Sequence, residues 1–276
     1  MKIFVTGSHG LIGTALVEVL ERDGHEVIRA ARREPRPPDG CEAVVHLAGE
    51  PIAGRWTKRK KAAIRESRVA RTRELCEVLP ASVKVFVCAS AIGFYGDRGT
   101  EPLNENSAMG TGFLAEVVRD WEVATKRASE KGIRVVNLRF GVVLSAKGGA
   151  LAKMLLPFKL GAGGIVGFGR QFWSWVALDD AVGAIRHALT AEDLRGPVNV
   201  VSPQPVTNKQ FTKALGKALG RPAIFPMPDP VARLVFGEMA GELLLASQQV
   251  FPFKLEGSGY RFRFANLDAA LQHLLR

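Results

Sequence analysis

Residues 3–13, Ile-Phe-Val-Thr-Gly-Ser-His-Gly-Leu-Ile-Gly, carry an apolar strand into a helical pattern through Gly7, Gly10 and Gly13, spaced three apart. Gly7 permits a tight turn, Gly10 lets backbone amides approach a pyrophosphate, and Gly13 lets the helix lie close on its strand. Leu11, Ile12, Ala15, Leu16, Val19 and Leu20 repeat at helical spacing, Gly24 ends the helix, and His25 to Ala30 begins a second apolar strand. The unit has the size of a mononucleotide-binding βαβ half, with a helix amino terminus turned towards an anion. Gly7, Ser8, His9, Gly10, Leu11, Ile12 and Gly13 are therefore the residues expected around a bound phosphate.

The second strand runs into Arg29-Ala30-Ala31-Arg32-Arg33, with no carboxylate at its tip and Glu34 the nearest acid. An acidic side chain there would accept bonds from an adenosine ribose, whereas a guanidinium offers forked donors to a 2′-phosphate. The expected cofactor is NADP(H), with Arg32 and Arg33 at the extra phosphate.

Three prolines between Glu34 and Gly40 leave no apolar run, so the sheet is expected to be shortened there. Ala43 to Leu47 reads as the next buried strand, 57–79 as a long helix stopped by Pro80, Val83 to Ala89 as a strand, 113–131 as an amphipathic helix, and Arg134 to Leu138 as a strand. Alternating strands and helices imply an α/β fold: a Rossmann-like, doubly wound parallel sheet with a smaller loop-rich substrate and carboxyl-terminal part. Residues 1–220 are expected to form the NADP(H)-binding domain, with substrate loops after Gly141, and 221–276 a small cap containing a helix over 231–248. Loops after residues 47, 90 and 140 should meet at the cofactor's reactive end.

With 276 residues and 47% hydrophobic content, the chain can bury one large core with a small appendage. No apolar run reaches the roughly eighteen residues of a membrane span, and the first strand begins at Lys2, so a cytoplasmic protein with no membrane partner is expected. Cys41, Cys76 and Cys88 lack metal-ligand or disulfide spacing and read as reduced thiols, with no metal site. The formal charge of +11 is concentrated in residues 55–73. Such a face suits nucleic acid electrostatically, but no nucleic-acid motif accompanies it, and a solvated helix packing Ile64, Val69, Leu75 and Val78 on a sheet accounts for it.

Thr6-Gly7-x-x-Gly10-x-x-Gly13, His46-Leu47-Ala48-Gly49, Ser90-Ala91-x-Gly93-x-Tyr95-Gly96 and Trp175-Val176-x-x-Asp179-Asp180 together resemble the extended short-chain dehydrogenase/reductase family. The runs Ala48-Gly49-Glu50-Pro51-Ile52, Arg55-Trp56-Thr57, Ser67-Arg68-Val69 and Asp120-Trp121-Glu122 are similar to its atypical "epimerase family protein" branch. The resemblance implies NADP(H) with its nicotinamide near Ser90, Arg32 at the adenosine phosphate, Leu47, Ala48 and Gly49 beside the ribose and pyrophosphate, and Arg68 facing the cofactor. Arg139 is counted with these cofactor-binding residues. A homodimer through two long helices is also implied, opposed here by the charge on 55–73.

In the wider family the resemblance implies a tyrosine and a lysine four residues apart as the acid/base pair. Here those places hold Phe113 and Val117, and the only tyrosines are Tyr95 and Tyr260. Ser90 and Tyr95 stand as the replacement catalytic candidates. Glu116 and Glu122 read as solvated charge, His46 as a satisfied core histidine, and Trp56, Trp173 and Trp175 as pocket walls or core. The expected function is an NADP(H)-dependent oxidoreductase or epimerase-like protein acting on a small carbonyl or sugar-derived substrate. The alternative is a non-catalytic NADP(H)-sensing module.

Overall fold

The computed structural model describes residues 1–31 and 36–276. Lys2–Thr6 forms β1, Leu11–Arg22 α1, Glu26–Arg29 β2 and Ala43–His46 β3. Lys58–Glu77 forms α2, Val85–Ala91 β4, Pro102–Leu103 β5, Phe113–Ala124 α3 and Lys126–Glu130 α4. Then come Arg134–Phe140 (β6), Val142–Leu144 (β7), Gly149–Lys159 (α5), Phe172–Trp173 (β8), Trp175–Ala177 (β9) and Leu178–Thr190 (α6). Gly196–Val200 (β10), Val206–Thr207 (β11), Asn208–Leu219 (α7), Asp229–Phe236 (α8), Gln249–Val250 (β12), Phe253–Gly257 (α9) and Leu267–Leu274 (α10) complete the chain.

Six strands make one sheet in the order β10-β6-β4-β3-β1-β2, every neighbouring pair parallel. Alternate residues of the strands feed two cores. Ile3, Val5, Val45, Val87 and Val136 pack beneath α1 and α6, while Phe4, Val44, Phe86, Cys88 and Val135 pack beneath α2 to α4. The period of two along each buried strand makes both layers apolar. β2 and β3 flank β1 on opposite sides, so the chain reverses its winding direction beside β1, and a crevice opens beyond the carboxyl ends of β1 and β3.

The shortening expected after β2 is present: among the described residues, no strand or helix separates β2 from β3. The three cysteines are buried free thiols, and burial pushes Cys76 up to about 12, which keeps it protonated.

Two sequence expectations need correction. The helix expected over 231–248 ends at Phe236, because Gly237 adopts φ +62° and breaks it; a π-turn over Ala240–Leu244 and extended chain follow. On α2 the buried stripe is Ile64, Thr72, Leu75 and Cys76, whereas Val78, at the helix end, is exposed. Residues after 221 wrap the sheet: β12 pairs with β5, Tyr260 and Phe262 pack against the α1/α6 core, and α10 joins α7 in a separate core around Trp173, Trp175 and Phe211. No helix among the described residues is long and apolar enough to cross a membrane.

Candidate functional site

The turn after β1 is held open by glycine alone. Gly7 has φ +68°, and a Cβ there would lie 2.7 Å from the Ala48 nitrogen and the Leu47 carbonyl carbon, so the loops after β1 and β3 touch backbone to backbone. A Cβ on Gly13 would fall 2.2 Å from the Gly7 carbonyl oxygen, which sets how closely α1 sits on its strand. Gly10 is the helix cap and offers no side-chain acceptor, and the first turn of α1 has no acidic residue. The first N–H groups of α1 and its positive dipole end therefore face the crevice uncompensated. Ser8 is buried with its hydroxyl 3.2 Å from His9 Nδ1, and His9 is exposed. Across the crevice, Cβ atoms on Gly148 and Gly149 would lie 3.3 and 3.2 Å from Leu11, so the loop entering α5 closes over the same turn.

His46 fixes the β3 side of the cradle. Its Nδ1 is 2.6 Å from Thr6 Oγ1 and its Nε2 3.0 Å from Thr72 Oγ1, which also accepts from Trp121 Nε1. Thr6 Oγ1 in turn accepts from the Leu47 and Ala48 N–H groups at 3.2 and 3.3 Å. The expectation of a satisfied core histidine matches this geometry. Burial lowers its pKa to about 4, so the ring is neutral at pH 7. Between about pH 6.5 and about pH 4, unfolded chain binds a proton that folded protein does not, so stability falls as pH drops through that window, by up to about 3 kcal/mol. Denaturant unfolding at about pH 7 and about pH 4 reads this loss; His46→Asn is expected to shrink it, and an unchanged pH dependence in that variant would place the effect elsewhere.

Arg68 sits one turn from Ile64 and one turn from Thr72 on the buried stripe of α2. Its guanidinium lies 3.3 Å from where a Gly49 Cβ would be, donates to the Glu50 carbonyl at 2.9 Å, and stands 5.2 Å from the Trp121 ring. Burial lowers its pKa to about 10, and among the described residues no carboxylate pairs with it. At pH 7 it is a cation held by carbonyls and an aromatic face beside the cradle, a donor set suited to an anionic or carbonyl-rich ligand. Arg32 and Arg33 lie outside the described residues.

Ser90, Tyr95 and Arg139 come together, but inside the protein. Ser90 Oγ donates to Glu122 Oε1 at 2.6 Å, Arg139 donates to both Glu122 oxygens at 2.7 Å and to the Tyr95 hydroxyl at 3.0 Å, and that hydroxyl donates to Asn199 Oδ1 at 2.8 Å. Tyr95 is 0% exposed, and burial raises its pKa. A phenol so placed has no open path to a substrate. The side chains of Arg139 and Glu122 are 3% and 13% exposed, so the reading of Glu122 as solvated charge is overturned: it is half of a buried ion pair. Burial opposes the Arg139 charge, but its hydrogen bonds to Glu122 outweigh that and raise its pKa. Glu116, by contrast, is exposed and pairs with Arg65, which also meets Asp120, so part of the α2 charge is neutralised by α3.

Phe113 and Val117, at the acid/base positions, belong to an apolar cluster with Trp56, Ile64, Leu114 and Met239. Trp56 meets Phe113 edge to face at 5.4 Å, and Lys61 Nζ sits 4.5 Å from the Phe113 ring. The Glu242 carboxylate accepts from the Phe113 and Leu114 N–H groups at 2.8 Å each, so the carboxyl-terminal region caps the helix that begins at Phe113. All three candidate tryptophans are buried, with Trp173 and Trp175 in the core beneath α7. A separate cleft of about 530 Å³ opens between Asp97, Phe168, Arg170 and Asp229, under the loops after Gly141.

A parallel sheet with a glycine-walled crevice at its reversal point and an uncapped helix facing it defines the dinucleotide-binding class of α/β proteins. The chain belongs to the NAD dependent epimerase/dehydratase family, whose model matches residues 3–41 and 36–201; a domain of unknown function, DUF1731, matches residues 227–274. It is similar to an epimerase family protein of Mycobacterium tuberculosis, 41% identical over 98% of this chain and 96% of that protein. The human epimerase family protein SDR39U1 is 36% identical over the full length of both chains. A crystal structure of human SDR39U1 (isoform 2) with NADPH superposes with a TM-score of 0.94 at 35% identity, covering 99% of each chain. A nucleoside-diphosphate sugar epimerase from Corynebacterium glutamicum gives a TM-score of 0.82 at 39% identity, over all of this chain and 58% of that one.

Proposed function

We propose that the chain binds NADP(H) in the crevice and acts as an NADP(H)-dependent oxidoreductase or epimerase-like enzyme on a small carbonyl or sugar-derived substrate. The observation that carries the reading is the cradle: Gly7 and Gly13 let the loop after β3 and the helix α1 close backbone to backbone around the turn, and Gly10 puts no side chain before the first helix amides. Gly7 to Gly13 would hold the pyrophosphate, Arg32 and Arg33 the adenosine phosphate, and Leu47 to Gly49 with Arg68 the opposite wall. The human relative crystallised with NADPH supports the choice of cofactor. When bound, the nicotinamide supplies or accepts a hydride.

The chain's own residues orient and exclude water. Thr6, His46 and Thr72 lock the Leu47–Ala48 backbone against Gly7. Ser90 and Tyr95, the candidates for catalysis, act as positioning groups that tie the end of β4 and the turn after it to Glu122 and Arg139. The substrate would lie under the loops after Gly141, in the cleft beside Phe168 and Arg170, with residues 221–276 as its cap. Without a tyrosine and lysine to move a proton, turnover is expected to be slower by about two to four orders of magnitude than with such a pair.

The apolar cluster around Phe113 and Val117 favours a second reading, a non-catalytic NADP(H)-sensing module. Calorimetric titration with NADPH and NADH tests the shared part: NADPH is expected to bind more tightly, and Arg68→Gln to weaken it about tenfold. No heat with either nucleotide sinks both readings. Following the absorbance of reduced nicotinamide over a set of aldehydes and ketones, and stereochemical inversion of sugar-derived substrates by NMR, then separates them, since binding with neither signal leaves the sensing module.

A further inference from the structure

Twelve large apolar side chains are exposed among the described residues, and eight of them come from residues 156–168 and 224–235. Phe168, Leu234, Leu160 and Ile224 are the most exposed, with Phe168 at 85% and Leu234 at 78%, and Phe225 beside Ile224 is also exposed. The two stretches form one surface. Phe225 N–H donates to the Gly163 carbonyl at 3.1 Å, Met227 N–H to Ile165 at 2.8 Å, and Gly167 N–H to Met227 at 2.8 Å, so the end of α5, the glycine loop and the approach to α8 run side by side. α8 itself turns Ala232 inward and presents Leu234 and Val235 to solvent. Single exposed apolar residues are ordinary on a protein surface, but a contiguous set of this size marks a contact face.

The charge around the face narrows what it contacts. Residues 147–170 and 221–235 contain Lys147, Lys153, Lys159, Arg170, Arg221 and Arg233 against the single acid Asp229. All six cations are exposed, and none takes part in an ion pair among the described residues. Asp97 and Asp229 lie in the cleft beside Phe168 and Arg170, but cations still outnumber acids here, so bringing this face of a second copy against it is electrostatically opposed. Apolar side chains on projecting loops and a helix, flanked by lysine and arginine, match a surface of anionic headgroups over hydrocarbon.

We propose that this face docks the protein on an anionic lipid bilayer. Phe168, Phe225 and Leu234 enter the boundary between headgroups and acyl chains, while Lys159, Arg170 and Arg233 meet the headgroup phosphates. Phe168 and Arg170 also edge the cleft under the loops after Gly141, so docking turns the mouth of that cleft towards the membrane. The inference rests on the surface alone and stands apart from the cofactor reading; a peripheral contact of this kind needs no spanning segment.

Flotation of the full chain with vesicles is the test. The protein is expected to float with equimolar phosphatidylglycerol and phosphatidylcholine and to remain behind with phosphatidylcholine alone, and raising salt to about 1 M should release it. Phe225→Ser with Leu234→Ser should lower partitioning about tenfold or more while the thermal midpoint stays in place. Lys159→Gln with Arg170→Gln and Arg233→Gln should flatten the salt dependence. The proposal fails if the wild-type protein does not float with the anionic vesicles. It also fails if the serine pair binds as well as wild type, or if sedimentation shows a dimer that the serine pair dissociates.

Discussion

Arg139→Met is expected to destabilise the protein by about 3–5 kcal/mol, because it leaves the Glu122 carboxylate buried with Ser90 as its remaining side-chain donor. Restoring neutrality should recover most of the loss: Arg139→Met combined with Glu122→Met exchanges a desolvated pair for apolar volume, a substitution that is commonly neutral or stabilising. Tyr95→Phe removes one acceptor for Arg139 and one donor to Asn199, and is expected to cost about 1–2 kcal/mol. Urea unfolding of the four proteins reads all three expectations. A loss below about 1 kcal/mol for the single Arg139 variant would mean that water reaches Glu122 and the pair is not buried in solution.

The second large effect lies in the glycine cradle, where two positions separate folding from binding. A Cβ at Gly13 collides with backbone, 2.2 Å from the Gly7 oxygen, so Gly13→Ala is expected to push α1 off its strand, lowering stability by about 2–3 kcal/mol and abolishing measurable NADPH binding. At Gly10 the added Cβ would be 3.3 Å from the same oxygen with φ −78°, a conformation open to any residue. Gly10→Ala should therefore change stability by less than about 1 kcal/mol while weakening NADPH about a hundredfold, or about 2.7 kcal/mol, by placing a methyl group where the pyrophosphate is expected. Calorimetry on folded Gly10→Ala decides the matter: unchanged affinity would reduce the glycine triplet to a structural turn.

How far the chain discloses itself differs from element to element. The first βαβ unit was legible because three signals agree: glycine spacing, the apolar repeat of α1 and the stop at Gly24. The shortened sheet was legible from the prolines between Glu34 and Gly40. The buried pair was not, although its traces are present. Asn137 and Arg139 interrupt the strand Arg134–Phe140 at a period of two, and Glu122 falls on the face of α3 that carries Leu114 and Val118 and leads to the cap residue Thr125; polar residues on two buried faces imply each other, but only the fold shows that the faces meet. Arg68 carries a similar trace, an arginine one turn from Ile64 and one from Thr72, which resemblance brought out and spacing alone did not. The helix expected over 231–248 runs into Gly237, where backbone of positive φ ends it.

The Glu242 carboxylate links the start of α3 to a stretch of chain more than a hundred residues later. Removal of the chain from residue 240 onward would strip two amides of their acceptor and take Leu243 from the apolar cluster that holds Phe113 and Val117. Loss of that segment is therefore expected to loosen the first turn of α3, although the two lie far apart along the chain.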